Sequence, residues 1–296
     1  MDRFFMKRAY LFPGQASQFP GMGKDLYESS ELARDLIELS NDILGFRISD
    51  VMFEGSEEDL KQTAITQPAV FIYSLLKARL LGDAFLPDGV AGHSLGEFTA
   101  LVAANALRFE DGLLLVKERA EAMQMACEAE ESTMAAIVGL DDVVIENICK
   151  EIDGIVVPAN YNCPGQLVIA GEVPAVEKAT VKLTEAGARR AIILQVGGAF
   201  HSPLMQLAQD RLTSAIEKTA FLQPICPIYQ NVDAKAHINS DEIKANLIAQ
   251  LTRPVRWTDT MKRMIDDGFD HFTECGGSVL SGFLKRIDRK MSMESV

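Results

Sequence analysis

A serine set between glycines is the first feature of this chain that can do covalent chemistry. Gly92-His93-Ser94-Leu95-Gly96 lies between a run of small apolar residues, Gly89 to Gly92, and a helical pattern from Glu97 to about Asn105. Flanking glycines suit a sharp strand-to-helix turn, which leaves no room for Cβ atoms near the hydroxyl. Such a turn exposes Oγ, aims backbone N–H groups at an attacked carbonyl, and sets a helix N-terminus where oxyanion charge develops. The five-residue pattern alone is loose, arising by chance in about one chain in ten of this length. Its place between strand and helix carries the weight, against the plainer reading of Ser94 as a helix cap.

A nucleophilic serine needs a base, and the chain has 4 histidines. His93 adjoins Ser94 and is expected to point elsewhere. His237 falls in a polar loop and His271 in an apparent strand. His201 follows Gly197-Gly198 and precedes a helix, a natural place for a functional loop, so it is favoured without excluding the other two. An acid should orient the histidine in enzymes of this motif class. None between Ser94 and His201 announces itself, so either an acid is hidden or a neutral group replaces it. Arg119 stands in an apolar helix, where an unpaired cation is costly. Its planar fork suits a ligand carboxylate held bidentately, the alternative being a structural acid such as Glu97 or Glu121. The glycines at 14, 21 and 23 raise the possibility of a phosphate cradle, but the segment lacks a Walker ending and a dinucleotide fingerprint, so an oxyanion loop fits better.

The elements that must position these residues follow from periodicity. A strand at Arg8–Phe12 runs into the loop 13–23, and helices follow from Lys24 and over Leu32–Leu44. Thr66-Gln67-Pro68 is expected to open an apolar helix, Pro68 near its start. Helices at 97–105 and 109–127 follow the serine. Between 134 and 196 the pattern becomes strand (134–139), helix (142–152), strand (155–160), strand (166–170), helix (174–186), strand (190–196), the split-βαβ or ferredoxin-like order. Helix (202–218), strand (228–232), helices (240–251 and 257–267), strand (271–274) and a terminal helix complete the chain. Strands separated by helices imply a mainly parallel sheet covered on both faces.

Bulk properties set limits. The chain has 296 residues, 48% apolar and 24% charged, enough for a sizeable core. A formal charge of -13 argues against non-specific binding to nucleic acid or anionic lipid. The 5 cysteines form no C-x-x-C pair, which fits a reducing compartment. No signal-peptide h-region and no apolar run of membrane-spanning length is found, so a soluble, cytoplasmic protein is expected. Met6 is a second candidate start, directly before the segment from Lys7.

With these residues in view, the chain resembles the malonyl-CoA:acyl carrier protein transacylase family along almost its whole length. The matching segments include LFPGQASQFPGMG (11–23), TQPA (66–69), AGHSLGEFTAL (91–101), VKERAEAMQ (116–124) and MAAIVGL (134–140). NYNCPGQLVIAG (160–171), GAFHSPLM (198–205), QLTRPVRW (250–257) and VLSGFLKRI (279–287) continue it in order. The resemblance implies an α/β-hydrolase-like core with a parallel sheet, residues 1–130 and 197–296, carrying an inserted ferredoxin-like subdomain, 131–196. It implies transfer of malonyl from malonyl-CoA to the phosphopantetheine thiol of acyl carrier protein, supplying fatty-acid synthesis. Ser94 is implied as the acylated nucleophile, His201 as its base, and Gln250 as the neutral residue whose backbone carbonyl orients the histidine. The backbone N–H groups of Gln15 and Leu95 are implied as the oxyanion hole and Arg119 as the clamp for the malonyl carboxylate. Asn160 and Asn162 match a motif bordering the cleft. No bound cofactor or metal is implied, coenzyme A entering as part of the substrate, and a monomer is the default expectation. The carrier protein is acidic in this family, so basic residues, among them Arg189, Arg190, Lys285, Arg286 and Arg289, are expected to dock it. Two segments depart from the family: CEAEESTMAAI from Cys127, in place of a glycine-rich stretch, and Gly277-Ser278, where proline and lysine are common. The serine motif also permits a thioesterase or esterase, which a buried Arg119 disfavours, and a silent carrier-protein-binding module, which intact Ser94 and His201 disfavour.

Overall fold

The computed structural model describes residues 6–296, so the second-start reading, which turns on residues 1–5, lies outside the described residues. Among the described residues ten strands form two sheets: β1 (Arg8–Phe12), β2 (Gly89–Gly92), β3 (Ser132–Val138), β4 (Val156–Cys163), β5 (Gln166–Glu172), β6 (Arg190–Ile193), β7 (Ile228–Tyr229), β8 (Ala236–His237), β9 (His271–Glu274) and β10 (Ser292–Ser295).

The larger sheet has the order β10-β9-β1-β2-β7-β8, parallel except for the β7–β8 pair. Its central strands are buried on both faces, which explains their unbroken apolar character. Tyr10, Phe12 and Val90 point into one apolar cluster with Phe71, Phe98 and Leu101. Ala9, Leu11 and Ala91 point into the other, with Trp257, Phe272 and Leu284. The two-residue period of a strand thus feeds a helical layer on each side. Strand order reverses direction at β1, which places a crevice beyond the carboxyl ends of β1, β2, β7 and β9. Gln15, Ser94, Asn231 and Gly276 follow those four ends.

The smaller sheet has the order β4-β5-β3-β6, antiparallel throughout. With helices Asp142–Glu151 and Val173–Glu185 it completes the β-α-β-β-α-β order expected from the pattern. One face packs Ile137, Leu167 and Ile169 against those helices, and the other presents Met134 and Val168. Main-chain bonds join it to the larger unit: Tyr161 N–H donates to the Val255 carbonyl at 2.9 Å, and Val255 N–H to the Ala159 carbonyl at 2.8 Å.

Several expectations are corrected. The apolar helix spans Thr63–Arg79, so Pro68 lies inside it. Gln62 supplies the start, its carbonyl accepting from Ile65 and Thr66 at 2.8 Å each. Pro68 is tolerated because only the Ala64 carbonyl loses its donor. Short helices at Ile48–Glu54 and Glu57–Lys61 had too little periodicity to stand out. The strand expected over 228–232 stops at Tyr229, because Gln230 and Asn231 turn inward to bond Glu97. Polar β8 and β10 carry no apolar run and were not anticipated.

Packing at the elbow is tight. A Cβ on Gly92 would lie 1.9 Å from the Gly96 carbonyl carbon, and one on Gly96 would lie 2.0 Å from the Phe12 oxygen. Gly96→Ala should therefore lower unfolding stability by about 3 kcal/mol or more, read from urea denaturation. A midpoint within error of wild type would contradict this packing.

Candidate active site

Ser94 sits on the turn between β2 and the helix Gly96–Ala103, with φ 54°, a left-handed conformation unfavourable for any residue but glycine. Asn231 holds the turn in place. Its Oδ1 accepts from Ser94 N–H at 2.7 Å and its Nδ2 donates to the Gly92 carbonyl at 2.7 Å. Asn231 N–H donates in turn to the buried Glu97 carboxylate at 2.9 Å, and Gln230 Nε2 donates to the other oxygen at 2.9 Å. Burial pushes the Glu97 carboxyl up, opposed by these donors.

Ser94 Oγ lies 2.7 Å from His201 Nε2. His201 Nδ1 lies 2.9 Å from the backbone carbonyl of Gln250, an acceptor only, so Nδ1 carries the proton and Nε2 is free to accept. The Gln250 side chain is engaged as well, Nε2 donating to the Ser94 carbonyl at 3.0 Å. Among the described residues no carboxylate bonds the ring. Burial, with the Arg119 charge close by, pushes the His201 imidazole down to about 3. A buried imidazole beside a cation is disfavoured in its charged form on both counts.

Arg119 is 0% exposed, and Nη2 donates to Ser94 Oγ at 3.0 Å. Nη1 donates to Gln67 Oε1 at 2.7 Å and Nη2 to Gln250 Oε1 at 3.3 Å. Nε is buried without a partner among the described residues. Burial pushes the guanidinium down to about 10, so it stays a cation at neutral pH. The two acids weighed as structural partners are engaged elsewhere: Glu121 pairs with Arg211 at 2.6 Å, and Glu97 with Gln230 and Asn231. Glu97 acts on Arg119 through space only.

These groups lie at a cleft of about 360 Å³ between the two sheets, lined by Gln15, Ser94, Asn160 and His201 together with Met134, Val168 and Phe200. Arg119, Gln250 and Leu95 are fully buried beneath it. Among the described residues no hydrogen bond engages the backbone N–H of Gln15 or of Leu95. Asn160 Oδ1 is buried and unpartnered. Asn162 is not among the residues that line the cleft; its Oδ1 meets Nε2 of His93, which does line it, at 2.9 Å. The His93 ring bonds Asn162 and packs beside Trp257, and His93 also lines the cleft. His237 and His271 lie elsewhere, beside Asp233 and Glu242 and beside Glu294. Among the described residues no three His, Cys, Asp or Glu side chains group as a metal site.

Sequence reasoning missed Gln67 and Asn231 as members of this constellation. Asn231 had one available signal, its place just past the carboxyl end of a parallel strand. Gln67 had none outside the TQPA segment, a buried amide in a helix being indistinguishable from any other by periodicity.

A family model described as the acyl transferase domain matches residues 9–277. Joined to a serine–histidine pair at the carboxyl end of a parallel sheet, this match defines the class, an acyltransferase. The malonyl CoA-acyl carrier protein transacylase of Bacillus subtilis (strain 168) is 40% identical over 295 residues, 98% of this chain and 93% of the relative. The solved malonyl CoA-acyl carrier protein transacylase of Coxiella burnetii has a TM-score of 0.94 at 38% identity, covering 98% of this chain and 93% of that one. A malonyl-transacylase solved in complex with its type II PKS acyl-carrier protein also has a TM-score of 0.94 at 38% identity, covering 98% and 96%. The chain belongs to the malonyl-CoA:acyl carrier protein transacylase family.

Titration of labelled His201 should show a neutral ring from pH 7 to pH 5, where an ordinary imidazole would be mostly protonated. Arg119→Gln removes a neighbouring positive charge and should move the midpoint up. A wild-type midpoint near 6.5 would show that burial does not govern this group. The same depression withdraws folding stability as pH falls from about 6.5 towards 3, since the proton is then bound only by the unfolded chain.

Proposed function

We propose that this enzyme transfers malonyl from malonyl-CoA to the phosphopantetheine thiol of acyl carrier protein through a malonyl ester on Ser94. The observation that carries the reading is one oxygen shared by two groups: Ser94 Oγ lies 2.7 Å from an imidazole that can accept its proton and 3.0 Å from a buried cation. His201 Nε2 removes the hydroxyl proton as Oγ attacks the thioester carbonyl. The Gln15 and Leu95 N–H groups, free of protein acceptors, receive the oxyanion, helped by the N-terminus of the helix Gly96–Ala103. The tetrahedral species collapses with cleavage of the C–S bond. The imidazolium returns its proton to the departing sulfur, and coenzyme A leaves. The thiol of the carrier protein then attacks malonyl-Ser94 by the reverse route, restoring the serine hydroxyl.

Arg119 pairs with the free carboxylate, and malonyl is short enough that this end stays close to Oγ while its other end is esterified. An unpartnered Nε and purely neutral acceptors support this role, since a buried guanidinium prefers an anion held by its fork. Binding that carboxylate also offsets the charge that keeps His201 deprotonated, so the base strengthens once substrate is in place. Asn160, with its amide oxygen unpartnered in the cleft wall, contacts substrate; Asn162 acts through His93.

The acceptor fits a cationic surface. Arg189, Arg190 and Arg286 line one depression of about 490 Å³ that no carboxylate lines, and Lys285 and Arg289 are exposed alongside Arg286. We assign this surface to docking of the acidic carrier protein. The chain divides, in this reading, into a core of residues 1–130 and 197–296 and a subdomain of residues 131–196, supported by a second sheet that lies within 132–193. A cytoplasmic location is supported by five free cysteines. Among the described residues no helix is long and apolar enough to cross a membrane.

Intact-protein mass after incubation with malonyl-CoA tests the core of this reading. One malonyl adduct should form, vanish in Ser94→Ala, and discharge on addition of holo acyl carrier protein. Rapid turnover without an acceptor would instead mark a hydrolase. For docking, Arg189→Glu combined with Arg286→Glu should lower carrier-protein kcat/KM by about tenfold or more while coenzyme A turnover changes little. Equal losses for both acceptors would remove the docking assignment.

A further inference from the structure

Gln67 is fully buried in the helix Thr63–Arg79 and meets Arg119 across the core. Its Oε1 accepts from Arg119 Nη1 at 2.7 Å, and its Nε2 donates to Met123 Sδ at 3.3 Å. A thioether sulfur can only accept, so the amide orientation is determined: NH2 towards Met123, oxygen towards Arg119. The flipped amide would set its donors against those of the guanidinium. Met123 lies four residues beyond Arg119 on the same helix, so one side chain spans adjacent turns and locks the arginine against its own neighbour.

The chemical type of the contact is as informative as its geometry. Among the described residues every acceptor of Arg119 is neutral: Gln67 Oε1, Ser94 Oγ and Gln250 Oε1. Buried arginines are usually matched to carboxylates, yet Glu97, within electrostatic reach, and Glu121, two residues along, are engaged with other donors. A carboxylate at position 67 would hold the guanidinium equally well but would cancel its charge and repel an incoming anion. An amide holds it and cancels nothing.

We propose that Gln67 is a specificity-determining positioning residue, a neutral acceptor that fixes the Arg119 guanidinium below the cleft while leaving its charge to be completed by an acyl chain ending in a carboxylate. The proposal rests on the reading of Arg119 as the carboxylate clamp. An acyl group without a carboxylate leaves the buried cation unmatched, so discrimination arises from a missing countercharge as much as from a favourable contact.

The test is the ratio of kcat/KM for malonyl-CoA to that for acetyl-CoA, both measured on one preparation so that loss of folded protein cancels. Gln67→Glu should lower this ratio by about a hundredfold, chiefly through KM for malonyl-CoA. Gln67→Met, close in shape but with only a weak thioether acceptor in place of the amide oxygen, should lower it by about tenfold as the guanidinium loses its anchor. A wild-type ratio in Gln67→Glu overturns the proposal whatever the absolute rate. If that variant does not fold, a wild-type ratio in Gln67→Met does so instead. Arg119→Ala separates the two readings. Should it keep the wild-type ratio, the clamp assignment falls and this proposal falls with it. Should it lose the ratio while both Gln67 variants keep it, the clamp stands and only the role of Gln67 is lost.

Discussion

A full positive charge, shut away from water and hydrogen-bonded to no carboxylate among the described residues, lies against the hydroxyl of Ser94, and the surrounding core is organised around its cost. Burying a cation is tolerable only where its hydrogen bonds are met. Here amide oxygens of Gln67 and Gln250 accept from its two terminal nitrogens without neutralising it, while Nε stays unpartnered among the described residues. The same charge reaches His201, helping to keep that ring deprotonated. It also reaches Glu97, where it favours ionisation against the effect of burial. Substrate recognition and base strength are therefore not separate properties of this cleft. One field sets both.

Geometry is delivered by the sheet. Parallel strands end together, and the loops that leave β1, β2 and β7 carry Gln15, Ser94 and Asn231 to one place. The serine turn is strained in its own backbone, and the strain is held by Asn231, which bonds the Gly92 carbonyl and the Ser94 N–H on either side of His93. Glu97, in the first turn of the helix, anchors Asn231 in its turn. A carboxylate thus does serve the nucleophile in this fold, but from behind and through an amide. The histidine is left to a carbonyl, which orients it without offering a charge to stabilise imidazolium.

Much of this was legible before any coordinates. Strands with unbroken apolar runs, the switch to a β-α-β-β-α-β rhythm, and the glycines around Ser94 are local signals, and each follows from sterics or periodicity. His201 could be favoured but not chosen, because its meeting with Ser94 depends on the packing of segments 107 residues apart. The orienting group could not be found by residue type at all, since a backbone carbonyl belongs to every residue; only the family resemblance pointed to Gln250. Asn162 borders the cleft through His93 rather than lining it, and a shared motif says nothing about which neighbour takes an amide. Pro68 misled for a related reason: proline marks helix starts statistically, whereas here the buried, apolar stretch around it was long enough to absorb one lost bond.

The seam between β4 and Val255 has a further meaning. It is made of main-chain bonds, at 2.9 and 2.8 Å, with Thr258 Oγ1 adding a third to the Tyr161 carbonyl at 3.0 Å. Side-chain replacement leaves such bonds intact, so drift in the surrounding sequence has little hold on the spacing of roof and floor. Descendants of this chain that came to accept bulkier acyl groups would have had to carve room from Met134, Val168 or Phe200, not prise the two walls apart.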